Sequence, residues 1–356
     1  MAYLKHGYSL LFVVCICIAS CNEKDESSII DDPIEKYLNL PKNNFEYAAT
    51  NWPVHILNAL NLTDNTPSNN AITNAGATLG RVLFYDKNLS VNKTVSCASC
   101  HSQQASFADD AILSKGFAGG LTGRHSMPLL NIRFYASGKM FWDERSPTLE
   151  QQVLQPIQNE VEMGLSLQEL TERVQTQPYY GPLFENAFGT TEIDTILISK
   201  ALAQFVRSIV TFNSRYDRVK SGLDVFSPDE AQGERLFINP PPNGGISCAG
   251  CHTPPMFVTS NPQGPFALQD PNDAGINNER RFKSPSLRNI SLRKSLFHNG
   301  SVNNLDQMLN RPPGSGQNPI PAHTVAPQNV QAFIAFINTL SDNDVIVNEK
   351  YADPFK

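Results

Sequence analysis

The sequence predicts a mostly α-helical protein built from two similar halves. Apolar residues recur along several segments at the spacing of amphipathic helices, and one residue pattern occurs twice in the chain. The 356 residues are 40% hydrophobic and only 17% charged, which is enough apolar material for a sizeable core. With 25 Pro and 21 Gly, we expect short helices joined by many loops.

Charge and hydropathy exclude two classes of protein. The chain has 28 basic and 34 acidic residues, a net charge of −6, so it lacks the basic footprint of a nucleic-acid binder. No apolar run reaches the roughly 20 residues that a membrane-spanning helix needs.

The N-terminus has the features of a targeting segment. Lys5 precedes an apolar run over residues 10–18, and Ile18-Ala19-Ser20-Cys21 resembles a bacterial lipobox. We therefore predict a lipoprotein signal peptide over 1–20, a lipid on Cys21 and a polar tether over 21–39. This would hold the protein in the periplasm or cell envelope by its lipid alone. An ordinary signal peptide cleaved near Ser20 remains the alternative.

Four helices follow from periodicity and capping signals. Residues 80–84 and 233–237 begin with matching Gly residues, and Ser227 with Glu230 forms a capping box before the second of these stretches. Residues 193–212 and 327–340 each carry an apolar stripe with a 3.6-residue period.

Cysteine spacing is the most informative feature of the sequence. Of seven Cys, Cys15 and Cys17 fall in the predicted signal peptide. Apart from Cys21, the rest form two C-x-x-C-H patterns, namely Cys97, Cys100 and His101, then Cys248, Cys251 and His252. This spacing lets two thiols bond to one haem while the histidine ligates its iron. A redox dithiol would explain neither His, and a structural zinc site needs four ligands together. We predict two covalently bound haem c groups.

The two haem motifs and the helices around them form an internal repeat. Each unit has a helix, a haem loop, an excursion and a closing helix, which is the layout of a small cytochrome c-like domain. We predict one such domain over 40–218 and a second over 219–356.

Further short motifs occur in a fixed order around the haem motifs. They are residues 79–84, Phe141-Trp142-Asp143 with Arg145, residues 149–152, Glu162-Met163, residues 286–289 and residues 297–300. Together the motifs resemble the bacterial di-haem cytochrome c peroxidases, a family that includes the methylamine-utilisation di-haem enzymes. The resemblance covers about residues 79–340.

The resemblance implies roles for three side chains between the haem motifs. Peroxide would bind at the haem held by His101, with Glu162 as the catalytic acid–base and Gln152 as its helper. A buried carboxylate suits proton transfer because burial raises its pKa towards neutrality. The alternative for Glu162 is a solvated loop acid. Trp142 matches the tryptophan that lies between the haems and assists electron passage, a role compatible with core packing.

Two departures from the family concern the first haem. Phe117 stands where some relatives have a distal histidine, so we predict a peroxidatic haem that is open without prior reduction. His125 or His55 could fill that position instead. His125 also replaces an asparagine that ligates calcium in relatives, and backbone carbonyls leave a Ca²⁺ between the domains as an open option.

The second haem lacks the expected sixth ligand. Pro312 stands where relatives place Met or Tyr. Met308 is the nearest candidate, although a Met between leucines is also typical of plain core. Met256 and His323 are the remaining candidates.

The function predicted from these features is reduction of hydrogen peroxide with electrons from a small cytochrome c or cupredoxin. Electrons would enter at the His252 haem. An oxidase of the methylamine-utilisation type and a non-enzymatic di-haem carrier remain alternatives, and a homodimer is an open option.

Overall fold

A computed structural model describes residues 1–2, 32–239, 248–258, 273–310, 323 and 325–356. The chain divides into two units, Met1–Asp32 and Pro33–Lys356, and all the helices below lie in the second. The predicted signal peptide and Cys21 lie outside the described residues. Within the described ranges, no helix is long and apolar enough to cross a membrane.

The described residues are mostly helical, as predicted. The helices are α1 (Pro33–Tyr37), α2 (Val54–Thr63), α3 (Asn74–Tyr85), α4 (Cys97–Cys100), α5 (Leu149–Gln152), α6 (Gln155–Gln158), α7 (Leu167–Thr176), α8 (Tyr180–Phe188), α9 (Thr195–Ser208), α10 (Arg215–Lys220), α11 (Pro228–Ile238), α12 (Leu305–Leu309) and α13 (Val330–Asn338). In these ranges β-structure is limited to isolated bridges such as Leu38 with Phe355.

The four predicted helices form two equivalent pairs. Helix α3 packs against α9, and α11 packs against α13. In each pair a glycine lets the backbones approach closely. A Cβ on Gly80 would lie 2.0 Å from the Ala201 carbonyl oxygen, and one on Gly233 would lie 2.1 Å from that of Ala332. The capping box of Ser227 and Glu230 starts α11 as predicted.

Equivalent loops extend the repeat beyond the helices. Asn131 and Asn289 have left-handed φ values of 57° and 59°, and each precedes a short 3₁₀ turn. Phe141 and Phe297 also have positive φ, 70° and 68°, inside matching bridged turns. The residues that follow them, Trp142 and His298, therefore occupy equivalent positions in the two halves.

Two apolar clusters of buried residues correspond to the two helix pairs. Helices α3, α8 and α9 contribute to the first cluster, and α11, α12 and α13 to the second. The C-terminal segment returns to the first cluster, where the Tyr351 hydroxyl donates to the Ser208 carbonyl at 2.9 Å. The domain division at residues 218 and 219 stays a prediction.

A buried ion cluster ties α2 and α10 to the segment before residue 290. Asp217 accepts two hydrogen bonds from Arg288, at 2.7 and 2.8 Å, and contacts His55 Nε2 at 3.0 Å. The neighbouring guanidinium holds the pKa of Asp217 well below its usual value, against the opposing effect of burial. Removing one partner of such a buried pair typically costs about 3–5 kcal/mol.

Candidate haem centres and active site

Both C-x-x-C-H motifs form a single helical turn, which places their two cysteines on one face. Cys97 and Cys100 begin and end α4, and the His101 amide donates to the Cys97 carbonyl at 3.0 Å. In the second motif the His252 amide donates to the Cys248 carbonyl at 2.8 Å. Each histidine thus follows its cysteines directly out of the turn.

The rings of the two motif histidines are held in the same way. His101 Nδ1 contacts the Phe107 carbonyl at 3.2 Å, and His252 Nδ1 contacts the Pro285 carbonyl at 3.1 Å. A backbone carbonyl at Nδ1 fixes ring orientation and leaves Nε2 to ligate a metal. Burial lowers the pKa of His101 to about 4 and that of His252 to about 3, so both rings are neutral at physiological pH, the form in which an imidazole can ligate a metal.

The four thiols lack the lowered pKa that is typical of a redox-active dithiol. Burial raises the pKa to about 12 for Cys97 and Cys248 and to about 11 for Cys100 and Cys251. Reactive dithiols have lowered pKa values because the thiolate is the nucleophile. The four cysteines are free, with no disulfide between them.

The first motif opens on a cavity of about 680 Å³, a volume that includes space open to solvent. We call it the first cavity. The structure brings together here the predicted haem and catalytic residues of the first half. Among its lining residues are Cys97, Cys100, His101, Gln152 and Glu162.

Gln152 and Glu162 reach the first cavity from two separate short segments. Gln152 ends α5, which an ion pair between Glu150 and the buried Arg207 anchors to α9 at 2.6 Å. Glu162 lies in a turn, and its own backbone amide donates to Asn159 Oδ1 at 3.2 Å. In the described part of the protein, no side-chain hydrogen bond holds the Glu162 carboxyl group. Burial raises its pKa, and Arg145 partly offsets that rise.

The loop of Phe117 is fastened to the Glu162 turn. The Phe117 amide donates to the Glu162 carbonyl at 3.0 Å, and Asn92 donates to the Phe117 carbonyl at 2.8 Å. Neither His55 nor His125 lines the first cavity. His55 is bonded to Asp217, and His125 lines a different cavity of the protein, so neither predicted alternative ligand lines this site.

A larger cavity of about 1,170 Å³, the second cavity, opens on the second motif. Its lining residues include Cys248, Cys251, His252, Trp142, His125, Met308 and His323. Met308 is also part of the second apolar cluster, in α12. Met256 is 2% exposed and does not line this cavity.

Unpartnered polar atoms facing the second cavity fit a cofactor that brings its own polar groups. His125 Nε2, Arg293 Nε and His323 Nδ1 are buried without hydrogen-bond partners among the described residues, and all three residues line this cavity. Arg293 has no carboxylate partner among the described residues, and burial lowers its pKa to about 10. A buried guanidinium calls for an anion, and the propionates of a haem would supply one.

Sequence reasoning missed Arg293. It stands beside Lys294, which is 71% exposed, so the pair has the pattern of an ordinary basic surface turn. Lys283, another buried residue that lines the second cavity, was also missed. The Lys283 ammonium lies 3.5 Å from Glu144 and 4.2 Å from the centre of the Tyr135 ring.

Trp142 is a buried lining residue of the second cavity and not of the first. Its indole Nε1 donates to the His125 carbonyl at 2.8 Å, and the His125 amide donates to the His298 carbonyl at 2.8 Å. Next to it, Arg124 bridges Asp143 and Asp273, at 2.6 and 2.5 Å. Trp142 is thus held rigidly where segments of both halves meet.

No cluster of three or more His, Cys, Asp or Glu side chains that could hold a separate metal ion occurs in the described ranges. The calcium ion between the domains stays an untested option.

Most of the folded chain matches the model of one known protein family. The family model described as "Di-haem cytochrome c peroxidase" matches residues 74–224 and 229–350. The methylamine utilization protein MauG of Methylorubrum extorquens is 33% identical over 255 residues, covering 68% of this chain and 70% of that protein. The cytochrome c551 peroxidase of Nitrosomonas europaea is 31% identical over 274 residues, covering 73% and 77%.

Solved structures give the same result for the fold. A MauG-like protein associated with microbial copper homeostasis superposes with a TM-score of 0.72 at 28% identity, over 86% of this chain and 99% of that one. The di-haem peroxidase BthA of Burkholderia thailandensis has a TM-score of 0.63 at 22% identity, over 78% and 89%.

Proposed function

The chain belongs to the di-haem cytochrome c peroxidase family, and on that premise we propose that it reduces hydrogen peroxide to water with electrons from a small reduced redox protein. The donor class that suits such a partner is a cytochrome c or a cupredoxin. Cys97, Cys100 and His101 would hold the peroxidatic haem, and Cys248, Cys251 and His252 the electron-entry haem. When bound, the peroxidatic haem supplies the redox-active iron at which peroxide is cleaved.

In this proposal the catalytic work of the protein falls on Glu162 and Gln152. Glu162 takes the proton from one peroxide oxygen and delivers it to the other, which leaves as water. A carboxylate with a raised pKa is suited to both steps because it accepts a proton more readily than a solvated carboxylate and can still release it. The Gln152 amide orients peroxide for that transfer.

The observation that carries the proposal is the meeting of Glu162, Gln152 and His101 in one cavity. These residues come from three separate segments. The proximity of Glu162 also contributes to the raised pKa values of Cys97 and Cys100. A solvated loop acid would have none of these neighbours.

The proposal also includes a route for electrons and a location in the cell. Electrons would enter at the second haem and pass by way of Trp142. Cys21 would carry a lipid that anchors the mature protein in the periplasm or cell envelope. Met308 would lie near the second haem, either as core or as an iron ligand.

A second candidate is an oxidase of the methylamine-utilisation type, which uses peroxide or oxygen to oxidise a partner protein or metabolite. It is favoured by the 33% identity to a MauG protein, slightly above that to the peroxidase of N. europaea. Both candidates use the same first cavity and differ in what is oxidised.

The test is steady-state oxidation of a reduced donor cytochrome by hydrogen peroxide, using the holoprotein as isolated. We expect Glu162→Gln to lower turnover by about 10²–10⁴-fold with unchanged haem content. Glu160→Gln is the matched control, since Glu160 is exposed and does not line the cavity. Equal turnover in the two variants would contradict the role of Glu162. Absence of turnover in the wild type would favour the oxidase, which a mass change in a co-expressed partner would reveal.

A further inference from the structure

The second cavity contains a histidine that the proposed function leaves unused. His323 precedes α13 in the chain, and its ring lies 5.5 Å from the centre of the Phe297 ring. Its Nδ1 atom is buried without a partner, and no hydrogen bond to either ring nitrogen is found among the described residues. Leaving a buried imidazole nitrogen unpaired is unfavourable, so a partner is expected in the loaded protein.

That ring faces the same space as the proximal ligand of the second motif. His323 and His252 both line the second cavity. They are close enough that His323 contributes to the lowered pKa of His252, after burial itself. A neutral imidazole with a free nitrogen is a good ligand for haem iron.

The other two histidines that line this cavity are less suited to the second haem. His125 Nε2 also has no hydrogen-bond partner among the described residues, but His125 contributes to the lowered pKa of His101, whereas His323 contributes to that of His252. His125 Nδ1 contacts the carbonyls of Ala111 and Ile112, both at 3.1 Å. Its backbone is tied to Trp142 and His298, as described above. The His298 ring is stacked on Phe282 with centroids 3.7 Å apart.

The sulfur and oxygen donors are weaker candidates. Met308 is packed in the second apolar cluster between Leu305 and Leu309. The described lining residues of this cavity include no tyrosine. Among the described histidines that line this cavity besides His252, His323 is the one whose ring nitrogens contact no other polar group.

We propose that His323 supplies the sixth ligand to the iron of the haem carried by Cys248 and Cys251. This rests on the proposed di-haem function and deepens it, because the electron-entry centre would then be bis-histidine and low-spin. An imidazole in place of a thioether favours the ferric state, so the potential would be lower than that of a His/Met centre.

Electron paramagnetic resonance and near-infrared charge-transfer spectra of the oxidised holoprotein test this assignment. Both methods distinguish bis-histidine from His/Met coordination without any measurement of turnover. We expect the wild type to show a bis-histidine signal that is lost in His323→Ala and becomes His/Met in His323→Met. Met308→Leu is the matched control, since it alters another lining residue and should keep the wild-type spectrum.

Several results would overturn the assignment. They are a His/Met signal in the wild type that Met308→Leu abolishes, a high-spin second haem, or a bis-histidine signal that survives in His323→Ala. If His323→Ala does not fold, the wild-type spectrum and His323→Met decide. Haem content distinguishes failure of the His323 assignment from failure of the proposed function, because a chain carrying one haem would contradict the di-haem function itself.

Discussion

At Glu162 the balance of burial and charge determines when the carboxylate can act as a base. Burial raises the pKa of this group, and the partly exposed Arg145 opposes the rise. A raised pKa means that the base form is lost at a higher pH than usual as the solution is acidified. The acid limb of kcat/KM for peroxide should therefore lie above the ordinary glutamate pKa of about 4.3.

Removing the opposing charge should move this limb further. We expect Arg145→Gln to shift the acid limb of the pH profile to higher pH, because the carboxylate loses a stabilising cation. Stopped-flow rates with peroxide across the acidic range would measure the shift. Lys115→Gln is the control, since Lys115 is exposed and does not contribute to the pKa of Glu162. An unchanged profile in Arg145→Gln would mean that another group titrates.

Arg293 should influence the second haem through its charge. The buried guanidinium favours the ferrous state and would pair with a propionate, so Arg293→Gln should lower the reduction potential of that haem. We expect a shift on the order of 60 mV, the one-electron equivalent of a tenfold change in equilibrium constant. Potentiometric titration followed optically would measure it. The exposed neighbour provides the control, because Lys294→Gln should leave both potentials in place. Equal potentials in the two variants would remove Arg293 from the haem environment.

At the scale of helices, two glycines decide how closely the paired helices approach. A Cβ at Gly80 or Gly233 would overlap the backbone carbonyl of the partner helix, and backbone cannot move aside cheaply. Overpacking of this kind typically costs about 1–3 kcal/mol. We expect Gly80→Ala and Gly233→Ala each to lower the urea midpoint of unfolding.

The control for these substitutions is a third helical glycine. Gly181 lies in α8, and a Cβ there would have no neighbour within 4 Å. Gly181→Ala should be neutral or stabilising by roughly 0.5–1 kcal/mol, since alanine favours the helix. Equal destabilisation in all three variants would show that loss of glycine itself, rather than helix contact, is responsible.

The helices could be predicted because their signals are local. The predicted segment 193–212 contains α9, and 327–340 contains α13 together with a preceding 3₁₀ turn. Capping by Ser227 and Glu230 was also predictable, since it involves residues three apart. The short helices α5 and α6 were not, because four residues carry too little periodicity to distinguish them from a loop.

Across the whole molecule, the haem motifs were predictable and much of their surroundings was not. The C-x-x-C-H pattern is complete within five consecutive residues and is typical of haem attachment. The placement of the buried Arg293 and of the half-buried His323 depends on packing between segments distant in sequence, which no local pattern records. The link from Asp217 to both His55 and Arg288 is similarly nonlocal. The position of Glu162 became predictable only through the ordered family motifs.

Trp142 provides the test of how the two halves cooperate. It lines the second cavity and is bonded to His125, so it is held at the meeting of the two halves. Replacing it with a smaller ring should slow electron passage from the second haem to the first. We expect Trp142→Phe to slow that transfer in stopped-flow experiments while haem content and the pH profile stay unchanged.

The other tryptophan of the chain, Trp52, packs on Phe134 and Phe212 away from both cavities, so Trp52→Phe should transfer electrons at the wild-type rate. If both variants match the wild type, Trp142 is a packing residue only, and the path between the haems must pass through other groups at this junction.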